Sequence, residues 1–100
     1  MVAPEFIDVD PRTLRLPASR LSGADPVKLL DQTIRFGSKT AGMPPLLAYR
    51  GSDDEIMLYD GVTRATRVAR LLPGTTVRVE IIRTLKKPVG HLPTVGEKLP

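Results

Sequence analysis

The chain has 100 residues, no cysteine, only four aromatic residues and a formal net charge of +4. This length suits one domain with one hydrophobic core, and the lack of cysteine excludes a disulfide framework, a Cys-based zinc site and thiol chemistry. No stretch approaches the ~20 apolar residues that span a bilayer, and Met1-Val2-Ala3-Pro4-Glu5 lacks the basic and apolar regions of a secretory signal, so a cytoplasmic location is expected.

The charge is unevenly placed. Residues 1–60 hold seven Lys/Arg against nine Asp/Glu, whereas residues 61–100 hold eight against two, a balance of +6. Such asymmetry points to an anionic partner, namely nucleic acid, nucleotide phosphate or an acidic protein surface. The plainer alternative is an ordinary solvated basic face.

In chain order, Glu5 to Val9 alternate weakly and predict a short first strand, closed by Asp10-Pro11. Pro11 to Gly23 mix Leu14, Leu16 and Leu21 with Pro17, Ser19 and Ser22, which predicts an ordered connection lying on the core. Asp25-Pro26 opens a helix, because Asp can cap free N–H groups and Pro fits the first helical position. Its expected apolar stripe is Val27, Leu30 and Ile34, with Leu29 beside it, and Gly37 is its expected stop. Residues 38–45 are then a loop.

Leu46 to Arg50 and Ile56 to Tyr59 flank Gly51-Ser52-Asp53-Asp54, the pattern of an antiparallel hairpin. A second helix is predicted from Val62 to Leu72, with Val62, Ala65, Val68, Ala69 and Leu72 on one face and Arg64, Arg67 and Arg70 on the other. Pro73-Gly74 ends it. Thr76 to Ile82 then alternate with the period of two that marks a half-buried strand. Lys86 to Pro100 show no periodicity and read as a Pro/Gly-rich basic tail or an extended arm that a partner would order. The expected architecture is therefore α+β, a small mixed sheet with two main helices over residues 1–85, followed by a tail over 86–100.

The candidate site is the turn Tyr59-Asp60-Gly61-Val62-Thr63-Arg64, where a strand hands over to a helix. A helix start offers unpaired N–H groups and a positive dipole end to an anion. Gly61 would let the backbone approach a phosphate, Thr63 adds a hydroxyl donor, and Arg64 can grip two phosphate oxygens with its planar fork. Arg67, on the same helix, completes the expected phosphate-binding set, and Asp60, Lys39 and Arg70 are possible accessories. The bland alternative is that Asp60 caps the helix, Gly61 makes a tight turn and Arg64 is solvated.

Other features carry less. His91 is the only histidine and has no second ligand at metal spacing, so no metal site is expected. Asp53, Asp54 and Glu55 lack the regular spacing of a calcium loop. Tyr49 and Tyr59 lie on predicted strands, where packing is the commoner role, and four aromatics offer poor support for a base-stacking platform.

The order of elements, with Pro45-Leu46-Leu47, Ile56-Met57-Leu58-Tyr59-Asp60, Gly61-x-x-Arg64 and Val77-x-Val79-x-Ile81, resembles the ParB N-terminal and sulfiredoxin superfamily over residues 5–82. The resemblance implies that Gly61 and Arg64 bind nucleotide phosphates or shape a DNA-binding surface; the cofactor stays open, with a nucleoside triphosphate and magnesium as one candidate. The chain departs from that family at Val62 and Thr63, where sulfiredoxins have their catalytic Cys and a His, and there is no room for the ParB helix-turn-helix. Sulfinic-acid reduction and centromere recognition are thus not expected. The resulting expectation is a phosphate-recognising binding module, ParB-like in type, for a nucleotide or a nucleic-acid backbone. Its alternatives are a protein-interaction domain with a vestigial site, and a ParB-like nuclease or nucleotide-hydrolysing toxin module in which Asp60 is the only obvious acid.

Overall fold

In the computed structural model, which describes residues 3–100, four strands and two helices follow the expected order. Strand β1 is Glu5–Val9, helix α1 is Pro26–Phe36, strands β2 and β3 are Leu46–Arg50 and Ile56–Asp60, helix α2 is Val62–Leu71, and strand β4 is Val77–Thr84. They form a small mixed sheet in the order β1-β4-β2-β3. Strand β4 runs antiparallel to β1 and parallel to β2, and β2 pairs with β3 as an antiparallel hairpin. The fold is α+β. Met1 and Val2 lie outside the described residues.

Local chemistry accounts for both helices. The Asp25 carboxylate accepts from the N–H groups of Val27 and Lys28, Pro26 occupies the first turn, and Gly37 closes α1 with a positive φ of 55°. Helix α2 starts at Gly61, whose φ is 104°. A Cβ there would stand 2.6 Å from Leu46 Cδ2, so this turn needs glycine for both conformation and space. The alternation expected of β4 is observed: Val77, Val79 and Ile81 are buried between exposed or half-buried neighbours.

The core lies between one face of the sheet and α2. Leu46, Ala48, Leu58 and Val79 from the strands meet Ala65, Val68 and Ala69 from α2, with Leu14 and Leu16 closing one side. At roughly 25 cal/mol per Å² of apolar surface removed from water, each fully buried Leu or Val contributes about 1.5–3 kcal/mol.

Helix α1 departs from its expected orientation. Val27, Leu30 and Ile34 are 76%, 61% and 75% exposed, and Leu29 is the buried residue of the helix. The inward face runs through Leu29, Gln32 and Thr33. It is displaced by two residues from the expected stripe, about 200° around a helix of 3.6 residues per turn. Because α1 packs on α2 rather than on the sheet, one leucine with short or polar neighbours fills the available space.

Residues 86–100 also differ from the expected tail. The expected tail packs on the domain without any partner: Val89 and Val95 are 1% exposed. The Asp53 carboxylate accepts from the Val89 and Gly90 N–H groups at 3.2 and 2.8 Å, drawing the segment onto the β2–β3 turn. Further along, Leu16 donates to Pro93 and Val95 donates to Leu14. Residues 14–16 in turn bond to β3, with Arg15 N–H to Ile56 and Leu58 N–H to Arg15 at 2.8 and 2.9 Å. The 14–16 and 93–95 segments thus cover the free edge of β3, which would otherwise invite pairing with another chain.

Candidate functional site

A pocket of about 330 Å³ opens at the start of α2. Tyr59, Asp60, Gly61, Val62, Thr63 and Arg64 line one side, so the whole turn singled out in the sequence faces this space. The opposite side was not foreseen. Arg20 comes from a short helical turn after the buried leucines, and Lys28 and Gln32 come from α1. Three cations from three elements, Arg20, Lys28 and Arg64, therefore converge on one helix start, and among the described residues Asp60 is the only acid lining the pocket.

Among the described residues no side chain caps α2, in contrast to α1. The Asp60 carboxylate, which could have capped it, instead lies 3.7 Å from Arg64 Nη2, and the other terminal nitrogen of Arg64 donates to the Pro44 carbonyl at 3.1 Å. These partners hold both terminal nitrogens of the guanidinium, whose side chain is 19% exposed at the pocket. Open first-turn N–H groups, the positive end of the helix dipole and three cations give the pocket the chemistry of an anion site.

Arg67 occupies a different place from the one expected. It is 3% exposed and donates through Nη1 to the carbonyls of Gly37 and Lys39 at 2.9 and 2.8 Å. The Phe36 ring lies 5.4 Å from its guanidinium carbon. Burial lowers its pKa from the ordinary arginine value. Arg67 therefore pins the 37–43 loop to α2 and lines a second cavity of about 120 Å³, which shares Arg64 and Gln32 with the first. Lys39 lines this second cavity only. Arg70 lies about 9 Å along the helix from Arg64, at 1.5 Å per residue, beside an apolar groove next to Leu29 and Leu71. The structure separates Arg67, Lys39 and Arg70 from the helix-start pocket.

Two sequence features acquire structural roles. Asp53 ties the 89–90 segment to the hairpin, and Glu55 receives Arg15 in an ion pair at 2.6 Å. Arg20 and Lys28 could not be linked to the turn from the sequence, since no local spacing connects positions 20, 28 and 64.

The fold and this pocket define a class: a small α+β domain with a basic pocket at an uncapped helix start. No family model matches the chain, and no curated protein matches it. Among the described residues, no helix is long and apolar enough to cross a membrane.

Proposed function

We propose that this chain is a phosphate-recognising binding module, with its site at the start of α2 and a nucleotide or a nucleic-acid backbone as its ligand. The observation that carries this reading is the convergence of Arg20, Lys28 and Arg64 on a helix start that no side chain caps. Gly61 supplies the left-handed turn that opens the helix start, and Thr63 contributes a hydroxyl. The resemblance to the ParB and sulfiredoxin superfamily supports the same assignment to Gly61 and Arg64. A nucleoside triphosphate would bring its magnesium with it, since Asp60 is the one carboxylate at the pocket. Binding rather than catalysis, in the cytoplasm, is the role that this residue set fits.

The test is an amide NMR titration with ATP, CTP, GTP and a short oligonucleotide at low and moderate salt, with magnesium. Shifts centred on Gly61, Thr63 and Arg64 are expected, with affinity falling as salt rises. Arg64→Met should weaken binding about ten- to a hundredfold, the scale of one lost charge-assisted hydrogen-bonding group. Absence of shifts with every ligand would remove the phosphate site.

A protein-interaction role has one observation in its favour, the outward stripe of Val27, Leu30 and Ile34 on α1. The stripe is an apolar surface with no partner among the described residues.

A further inference from the structure

The face of the sheet turned away from the helices carries a feature that four scattered aromatic residues did not suggest. Leu46, Ala48, Leu58, Val77, Val79 and Ile81 point into the core, so their strand neighbours point outward. Those neighbours include Phe6 on β1, Tyr49 on β2 and Tyr59 on β3, three of the four aromatic residues in the chain. Tyr59 is 57% exposed and Phe6 is 46% exposed. Tyr49 and Tyr59 stand edge to face with ring centres 5.4 Å apart. Tyr59 also lines the basic pocket, so the aromatic pair and the phosphate-binding turn form one continuous surface.

Charge on this face is divided. Towards β1 it holds Glu80 and the Asp8–Arg78 ion pair. Beyond Tyr49 lies Arg83: a register shift between Ala48 and Tyr49 skips Ile82 and sets Arg83 opposite Tyr49, exposed and with no ion-pair partner among the described residues. From the pocket, where three cations face the carboxylate of Asp60, the surface therefore presents two aromatic rings and a further cation.

We propose that this open face binds single-stranded nucleic acid: a phosphate sits in the Arg20–Lys28–Arg64 pocket, successive bases stack on Tyr59 and Tyr49, and the backbone continues towards Arg83. The inference rests on the phosphate-pocket reading and specifies its ligand. Every base has a π-face, so aromatic platforms beside positive charge accept unpaired strands with little sequence preference, whereas a duplex keeps its bases stacked inside. Glu80, three residues before Arg83 on β4 and opposite Leu47, leaves the Arg83 end of that strand to the backbone. DNA and RNA share this chemistry.

The experiment uses the full chain and its own fluorescence. With no tryptophan and only two tyrosines, both on the platform, all of its tyrosine emission reports this face. Octamers of oligo(dT) and oligo(U), and a duplex of the same length, are titrated with absorbance-corrected tyrosine emission, fluorescein-anisotropy and amide-shift readouts. Both single strands should quench the tyrosines and bind at least about tenfold more tightly than the duplex, and the tighter of the two identifies DNA or RNA as the source. Tyr59→Leu, with circular dichroism unchanged, should weaken binding about five- to a hundredfold, the range for losing one stacked base.

Duplex binding equal to single-strand binding, or an oligonucleotide affinity indifferent to Tyr59→Leu, overturns the proposal. So does concentration-dependent self-association abolished by Tyr59→Leu, which would assign the face to a second copy. The two readings separate cleanly. Phosphate-induced shifts at Gly61 and Thr63 without tyrosine quenching by either strand would sink the platform alone, and quenching with affinity unchanged in Arg64→Met would sink the pocket.

Discussion

Gly61 is the residue on which the candidate site turns. Its φ of 104° and the 2.6 Å approach of Leu46 Cδ2 to a hypothetical Cβ make it the hinge between β3 and α2. Gly61→Ala should cost about 1–3 kcal/mol in urea denaturation, the scale of a non-glycine residue held in a sparsely populated backbone region. The same variant should also disturb phosphate binding, because strain at the turn displaces the first N–H groups of α2. Arg64 and Arg67 show how neighbouring residues of one type diverge. Arg64 borders the open pocket, whereas Arg67 spends its hydrogen bonds on Gly37 and Lys39 carbonyls inside the domain. Three positions separate them, close to one helical turn, so burial decides their roles.

At the scale of elements, α1 is the informative case. Both of its ends were legible, since Asp25-Pro26 and Gly37 act through local backbone geometry. Its orientation was not, because a pattern of Val27, Leu30 and Ile34 shows only that an apolar stripe exists and leaves open whether this chain or another molecule covers it. Leu29→Ala should destabilise the protein by about 2–4 kcal/mol through the cavity it leaves. Ile34→Ser and Val27→Ser should each change stability by no more than about 0.5 kcal/mol, as exposed substitutions do. Thermal or urea unfolding checks both. A large loss in the serine variants would place the stripe in a buried interface of a self-associated form.

Across the whole molecule, the closing contact is between the β2–β3 turn and the chain's last fifteen residues. Burial raises the Asp53 pKa, but the N–H groups of Gly90, Val89 and Glu55 outweigh it and hold the carboxyl below its ordinary 3.8. A depressed folded-state pKa means that the contribution is complete above 3.8 and is lost as pH falls through the lower folded value. Asp53→Asn should therefore reduce stability at neutral pH and flatten the pH dependence below about 4. Protection of the Val89 and Gly90 amides, taken relative to intrinsic exchange at the same pH, should fall in the variant, and the wild type should approach the same protection only in acid.

Strand and helix positions, the Gly61 turn and the basic bias of the C-terminal portion were determined by sequence alone, because periodicity, caps and glycine act over a few residues. The mixed α+β sheet was also legible, as a hairpin followed by a helix and an alternating strand. Tertiary structure decided the rest. It brought Arg20 and Lys28 to Arg64, buried Arg67, turned the α1 stripe outward, packed residues 86–100 and gathered three aromatics on one sheet face. Each of these depends on which distant segments share a face, and that follows from how the whole chain fills one core and pairs its edges, information that no short window of residues contains.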